Sequence, residues 1–159
     1  MKFGAKVAAQ EGYIPPEQYN QDFLLMPEDF SDVGQAIVLS REYMDRLRFS
    51  PATDYIVFNG SFWEESQPNA QGIAQELTAR QLEEAETEIQ RCMKEMSENG
   101  AWAMLAAMGA KKATAAFSEV QRRSFEKYER AEAYRKYAIK RRDTKYISAA
   151  LKEARPMIQ

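Results

Sequence analysis

The 159 residues are enough for one domain with a real core, since 45% are apolar, and the formal net charge is only −2. There is no histidine and a single cysteine, Cys92. A zinc site of the usual kind, a disulfide framework and histidine-based acid–base or triad chemistry are therefore excluded. The longest apolar run, Ala101–Met108, is much too short to span a bilayer, and the first ten residues lack the apolar segment of a signal peptide. A reducing, cytoplasmic setting fits, with no membrane and no metal partner.

In chain order, residues 1–31 read as an apolar N-terminal arm. Gly12, Pro15, Pro16 and Pro27 break any long helix, yet Tyr13, Tyr19, Phe23, Leu25 and Phe30 make the arm too apolar to be a solvated tail. It is expected to wrap a single helical domain over 32–157. Asp32 with Gln35 fits a capping box for a helix over roughly 33–46, with Val33, Ala36, Leu39, Tyr43 and Leu47 on its inner face. Leu47–Phe49 adds a short strand, ended by Pro51.

The clearest local signal is a β-hairpin at about 54–64. Asn59-Gly60 between two apolar runs predicts a two-residue type I′ turn, because that turn needs φ > 0 at both central residues. Phe58 would then face Ser61, and Val57 would face Phe62. Ile56, Phe58 and Trp63 share one face; Tyr55, Val57 and Phe62 share the other. A free hairpin is marginal in water, so one face must pack on helices. The other face either joins the core, Trp63 included, or stacks bases or a partner.

Helix resumes near Asn69, with a second capping box at Thr78 and Gln81 marking a kink or restart. Leu82, Ala85, Ile89, Cys92, Met93 and Met96 form a stripe of period 3.6, so Cys92 reads as a buried thiol. Glu83, Glu84, Glu86 and Glu88 fall largely off it and read as a solvated face. Asn99-Gly100 stops the helix. Ala101–Met108 predicts a short core helix ending at Gly109, with Trp102 as its anchor. The longest helix is expected over 114–142, followed by a last helix at Thr144–Ala154, capped by Asp143 and stopped by Pro156. The fold class is mainly α (α+β): a helical domain with one hairpin and a short third strand.

Charge is strongly segregated. Residues 1–66 hold 5 Lys/Arg against 11 Asp/Glu (−6), residues 67–99 hold 3 against 7 (−4), and residues 100–159 hold 14 against 6 (+8). The densest basic stretch is Arg135, Lys136, Lys140, Arg141, Arg142 and Lys145, with Tyr134, Tyr137 and Tyr146 among them. Cations interleaved with aromatic rings suit a nucleic-acid backbone, because charges neutralise phosphates and rings stack on bases. Those six cations and Tyr137 are the candidate nucleic-acid-binding residues. The competing reading pairs this region with the acidic helix Glu83–Glu88 inside the fold. No phosphate loop, no Gly-x-Gly-x-x-Gly and no Asp-x-Asp pair occurs, so no catalytic residue and no cofactor are expected. Catalysis by carboxylates alone stays open.

Several runs together resemble a known family. They are Phe30-Ser31-Asp32-Val33-Gly34-Gln35-Ala36, Leu47-Arg48-Phe49-Ser50-Pro51, Asp54-Tyr55-Ile56-Val57-Phe58-Asn59-Gly60, Phe62-Trp63, and Asp143-Thr144-Lys145-Tyr146-Ile147 through Ala154-Arg155-Pro156. Over roughly residues 30–157 the chain resembles the domain that precedes the superfamily 3 helicase in phage and plasmid primase–helicases, to which a domain of the large poxviral primase–helicase is related. These motifs are structural rather than catalytic. In that family an ATPase domain with a phosphate loop follows and a primase domain can precede; this chain holds neither, and reads as a cut-out piece or a truncated prophage product. The resemblance implies a replication module of a mobile element that guides DNA, single-stranded or forked and without sequence choice, beside a helicase. The alternative is a structural collar that binds the helicase domain or copies of itself without touching DNA.

Overall fold

A computed structural model describes residues 23–159. Most of the N-terminal arm, with Tyr13, Ile14-Pro15-Pro16 and Tyr19, lies outside the described residues. The elements are α1 (Asp32–Tyr43), β1 (Leu47–Ser50), β2 (Asp54–Phe58), β3 (Trp63–Glu65), α2 (Gln67–Glu98), α3 (Ala101–Ala116), α4 (Glu119–Lys140), α5 (Thr144–Ala154) and a closing 3₁₀ turn, Arg155–Met157. The chain is mainly α with one small three-stranded antiparallel sheet, as the sequence predicts. It divides into two compact units: Phe23 and Leu24 with Glu84–Tyr134, and Leu25–Glu83 with Arg135–Gln159.

The unit formed by Leu25–Glu83 and Arg135–Gln159 is built on α1. Ser31, not Asp32, is its N-cap: the Ser31 hydroxyl accepts from the Gly34 amide at 3.0 Å. Asp32 and Gln35 are thereby released for other contacts. Ala36, Val38, Leu39 and Tyr43 of α1 are buried, with Ile147, Leu151 and Ala154 of α5 in the same core. Val33 faces outward, one residue off the inner stripe expected of it. Gly34 is required by space, since a Cβ there would stand 2.2 Å from the Asp29 carbonyl oxygen.

The sheet runs in the order β1-β2-β3. Leu47 pairs with Val57 and Phe49 with Tyr55. The Phe49 amide donates to the Ile158 carbonyl at 3.0 Å, so the closing segment covers the outer edge of β1. The hairpin register differs from the expected one: Phe58 pairs with Trp63 and Val57 with Glu64. The turn has moved one residue along. Asn59 N–H donates to the Phe62 carbonyl, and the Asn59 side-chain oxygen accepts from the amides of Ser61 and Phe62. Gly60, at φ 103°, supplies the one positive φ of this turn, so Gly at the first central position replaces the two positive φ values of a type I′ turn.

The slip is by two residues in pairing sum, so the faces survive. Tyr55 and Val57 point into the core, while Ile56, Phe58 and Trp63 lie on the outer face. Trp63 is 41% exposed and rests on Phe58 at 5.5 Å between ring centres; it is not a core residue. Phe62 sits in the turn and is 60% exposed.

Helix α2 starts earlier than expected, because Ser66 caps it by accepting from the Asn69 amide at 3.1 Å. It runs unbroken for 32 residues and is the longest helix. Thr78 caps nothing: its hydroxyl bonds back to the Gln75 carbonyl, and Gln81 enters a buried polar cluster. Helix α4 begins only at Glu119, after a break at Phe117 and Ser118, which replaces the single helix expected over 114–142.

In the unit containing Glu84–Tyr134, the α2 stripe holds: Ala85, Ile89, Cys92 and Met96 are buried. Burial pushes the Cys92 thiol up to about 12. Glu88 departs from the solvated face expected of it. It is buried one turn from Cys92, accepts from that thiol at 3.7 Å and is paired with Arg91. Glu84 accepts from the Tyr134 hydroxyl at 2.8 Å and from the Leu24 amide at 2.7 Å. Phe23 meets the Tyr134 ring edge-on at 5.1 Å. Helix α3 breaks at Gly109 (φ 81°, ψ 162°), where the sequence places its end. Its first half, however, is not in the core: Ala101 is buried, but Trp102 is 41% exposed. Among the described residues no helix is long and apolar enough to cross a membrane, and no cluster of carboxylates and cysteine could hold a metal ion.

Candidate nucleic-acid interface

The basic stretch lies where α4 ends, a tight turn follows and α5 begins. The turn closes through backbone bonds. Arg142 N–H donates to the Ile139 carbonyl and Asp143 N–H to the Lys140 carbonyl, and the amides of Tyr146 and Ile147 donate to the Asp143 carbonyl. Asp143 occupies the N-cap position of α5 without a side-chain cap bond.

This turn sorts the seven candidate residues into two groups. Arg141 is 5% exposed. Its guanidinium donates to Asp32 Oδ1 at 2.6 Å and lies 5.0 and 5.1 Å from the ring centres of Tyr137 and Tyr146. The released Asp32 of α1 is thus the partner of a buried cation, which is the physical reason a serine caps that helix instead. Tyr137 is buried as well. Phe30 stacks on its ring at 4.3 Å, and its hydroxyl donates to Gln35 Oε1 at 3.0 Å. Burial pushes the Tyr137 hydroxyl up to about 12, against the lowering effect of Arg141. Of the candidate set, Arg141 and Tyr137 are therefore buried side chains bonded within the fold.

Behind them lies a buried amide pair. Gln35 Nε2 donates to Gln81 Oε1 at 2.8 Å, and Gln81 Nε2 donates to Gln35 Oε1 and to the Leu25 carbonyl, each at 2.9 Å. Every polar group of this cluster has a partner, as burial demands.

The second group faces solvent. Lys136, Lys140, Arg142 and Lys145 are exposed, and Arg135 is half-buried. Lys140 Nζ and Lys145 Nζ lie 5.5 and 5.0 Å from the Tyr146 ring centre, so one ring steadies an ammonium from each side of the turn. Arg142 reaches the Thr78 hydroxyl at 3.4 Å. Lys136 and Lys140 stand one helical turn apart on one face. Within this stretch the nearest acid in sequence is Asp143. The arrangement is a group of exposed cations at the end of α4, in the turn and at the start of α5, able to neutralise phosphates.

Sequence reasoning missed the partners. Asp32, Gln35, Thr78 and Gln81 all read as helix caps, because Ser, Thr, Asp and Gln at those spacings serve both purposes. A second buried-edge cluster was not foreseen either. The Tyr43 hydroxyl donates to Glu76 at 2.9 Å, with Arg46 and Arg80 beside its ring.

A family model described as D5 N terminal like matches residues 36–159, most of the chain. The chain belongs to the D5 N-terminal-like family. In primase–helicases this domain precedes the superfamily 3 helicase. The basic turn, the sheet and α5 all lie inside the span matched to the D5 N-terminal-like family. No curated protein and no solved structure matches the chain.

Proposed function

We propose that this chain is a non-catalytic module of a phage-type replication protein, and that it handles DNA beside a helicase domain. The observation that carries this reading is the exposed set Lys136 and Lys140 at the end of α4, Arg142 in the turn and Lys145 at the start of α5, in a family whose members work next to a helicase. Four cations without base-reading geometry favour backbone contact free of sequence choice. Contact with a single copy is weak, with Kd of about 10⁻⁴–10⁻⁶ M at physiological salt, and several copies on one strand would raise it by avidity.

Fluorescence anisotropy on labelled single-stranded, forked and duplex DNA, across a salt series, tests this. Releasing counterions at four sites gives a log–log slope no steeper than about −3 on single strands. Changing Lys136, Lys140, Arg142 and Lys145 to Glu should abolish binding, while Lys152→Glu on α5 should not. Nucleotide hydrolysis by the purified chain above a mock preparation would refute the non-catalytic part.

A structural collar without DNA contact is the second reading. It is favoured by the outer hairpin face, where Phe58, Phe62 and Trp63 form an aromatic patch of the composition that protein interfaces use. No DNA binding even at low salt would decide for it.

A further inference from the structure

Three tyrosines stand among the cations of the basic stretch, Tyr134, Tyr137 and Tyr146, and such a mixture suits base stacking as well as phosphate contact. Two of them are committed to the interior. Tyr134 is fully buried and donates to Glu84. Tyr137 is buried, with Phe30 stacked on its ring at 4.3 Å. Tyr146, half-buried, is the most accessible of the three.

The Tyr146 ring is already in use. The Lys145 ammonium stands 5.0 Å from its centre, the Arg141 guanidinium 5.1 Å and the Lys140 ammonium 5.5 Å. Asp32 answers Arg141 at 2.6 Å. Among the described residues neither Lys140 nor Lys145 forms an ion pair. Lys140 ends α4 and Lys145 lies in the first turn of α5, so two helices bring their ammonium groups to one ring. The ring attracts both cations, while their like charges repel each other. An anion set against the pair relieves that repulsion. A long side chain held in advance also loses less freedom when it binds. A base, by contrast, has to displace cations to reach this ring.

We infer that Tyr146 is a positioning residue of the basic turn: its ring, not its hydroxyl, holds Lys140 and Lys145 for a phosphodiester backbone and stacks on no base. This rests on the DNA reading above and narrows it. The contact is with phosphates, and the bases they carry are indifferent.

Fluorescence anisotropy with the full chain compares a labelled oligothymidine with an abasic strand of the same length. Stacking one base on an aromatic ring is worth about fivefold or more in affinity. Binding equal to within about twofold is therefore expected, and a loss of about fivefold or more on the abasic strand would overturn the inference. Tyr146→Phe should bind as the parent chain does. Tyr146→Leu should weaken binding about three- to tenfold, because the ligand must then order the lysines itself. Its log–log salt slope should not change, since no charge is lost. Weaker binding by Tyr146→Phe, or full binding by a folded Tyr146→Leu, would overturn the inference. In the free protein, NMR should show the Lys140 and Lys145 methylene signals shifted by the ring current, in the parent chain and in Tyr146→Phe alike. Unshifted signals would refute the positioning role whether or not DNA binds. Shifted signals without any DNA binding would bring down the DNA reading, and the phosphodiester ligand with it. The strand comparison and the lysine signals test the idea even if Tyr146→Leu unfolds.

Discussion

Helix α5 and the first half of α3 are both short and rich in alanine and apolar residues, yet one is buried and the other is not. In α5, Ile147, Ala150, Leu151 and Ala154 are buried, while Lys145 and Lys152 are exposed. The apolar residues recur at three- and four-residue spacing, so they form one stripe and the helix has one way to lie. In Ala101–Met108 the apolar residues go all the way round. Nothing in that helix designates a face, and the fold leaves most of it uncovered. Apolar content alone does not place a helix in the core of its own chain; a polar face tells it which way to turn.

Charge insertion should separate the two helices most sharply. Ala154→Glu in α5 buries an unpaired carboxylate and is expected to prevent folding. Ala107→Glu in α3 should leave the fold intact. Thermal unfolding followed by circular dichroism reads both, and equal losses would break the contrast. Side-chain truncation should show a smaller gap. Leu151→Ala should cost about 2–5 kcal/mol as a buried large-to-small change, and Met108→Ala about 0.5 kcal/mol or less as a surface change. Urea midpoints at constant m-value measure these costs. The smallest effect belongs to the hairpin. Trp63→Ala, on the outer sheet face, should cost less than about 1 kcal/mol. A loss of several kcal/mol would mean that the outer face is covered after all.

The elements with periodic patterns were legible in the sequence. The last helix has the bounds read from its stripe and its flanking Asp143 and Pro156. The three strands and the stop at Asn99-Gly100 were legible too, because turn residues act through local backbone geometry. The hairpin register was not. Asn-Gly supports more than one turn, and the choice fell to the Asn59 side-chain oxygen, which binds two amides ahead of it. Helix caps were over-read for the same reason: Asp32, Thr78, Gln35 and Gln81 look like caps locally and serve as long-range partners. Of the candidate interface, its position at the α4–α5 turn was legible. The split between buried and exposed cations was not, since it depends on Asp32, which is 109 residues away from Arg141.

The cluster of Gln35, Gln81 and Tyr137 constrains how this chain can change. Three separate helices each contribute one member, and the bonds run among the three side chains and to the Leu25 carbonyl. Replacing Gln35 or Gln81 by an apolar residue leaves the other buried amide without its reciprocal partner. Replacing all three with side chains of matching shape would remove the side-chain polar groups together and leave only the Leu25 carbonyl without its donor. Single substitutions therefore overstate the worth of each bond, and their costs cannot be summed. Gln35 and Gln81 behave as one mutational unit, so a change at either is expected to be felt at the other.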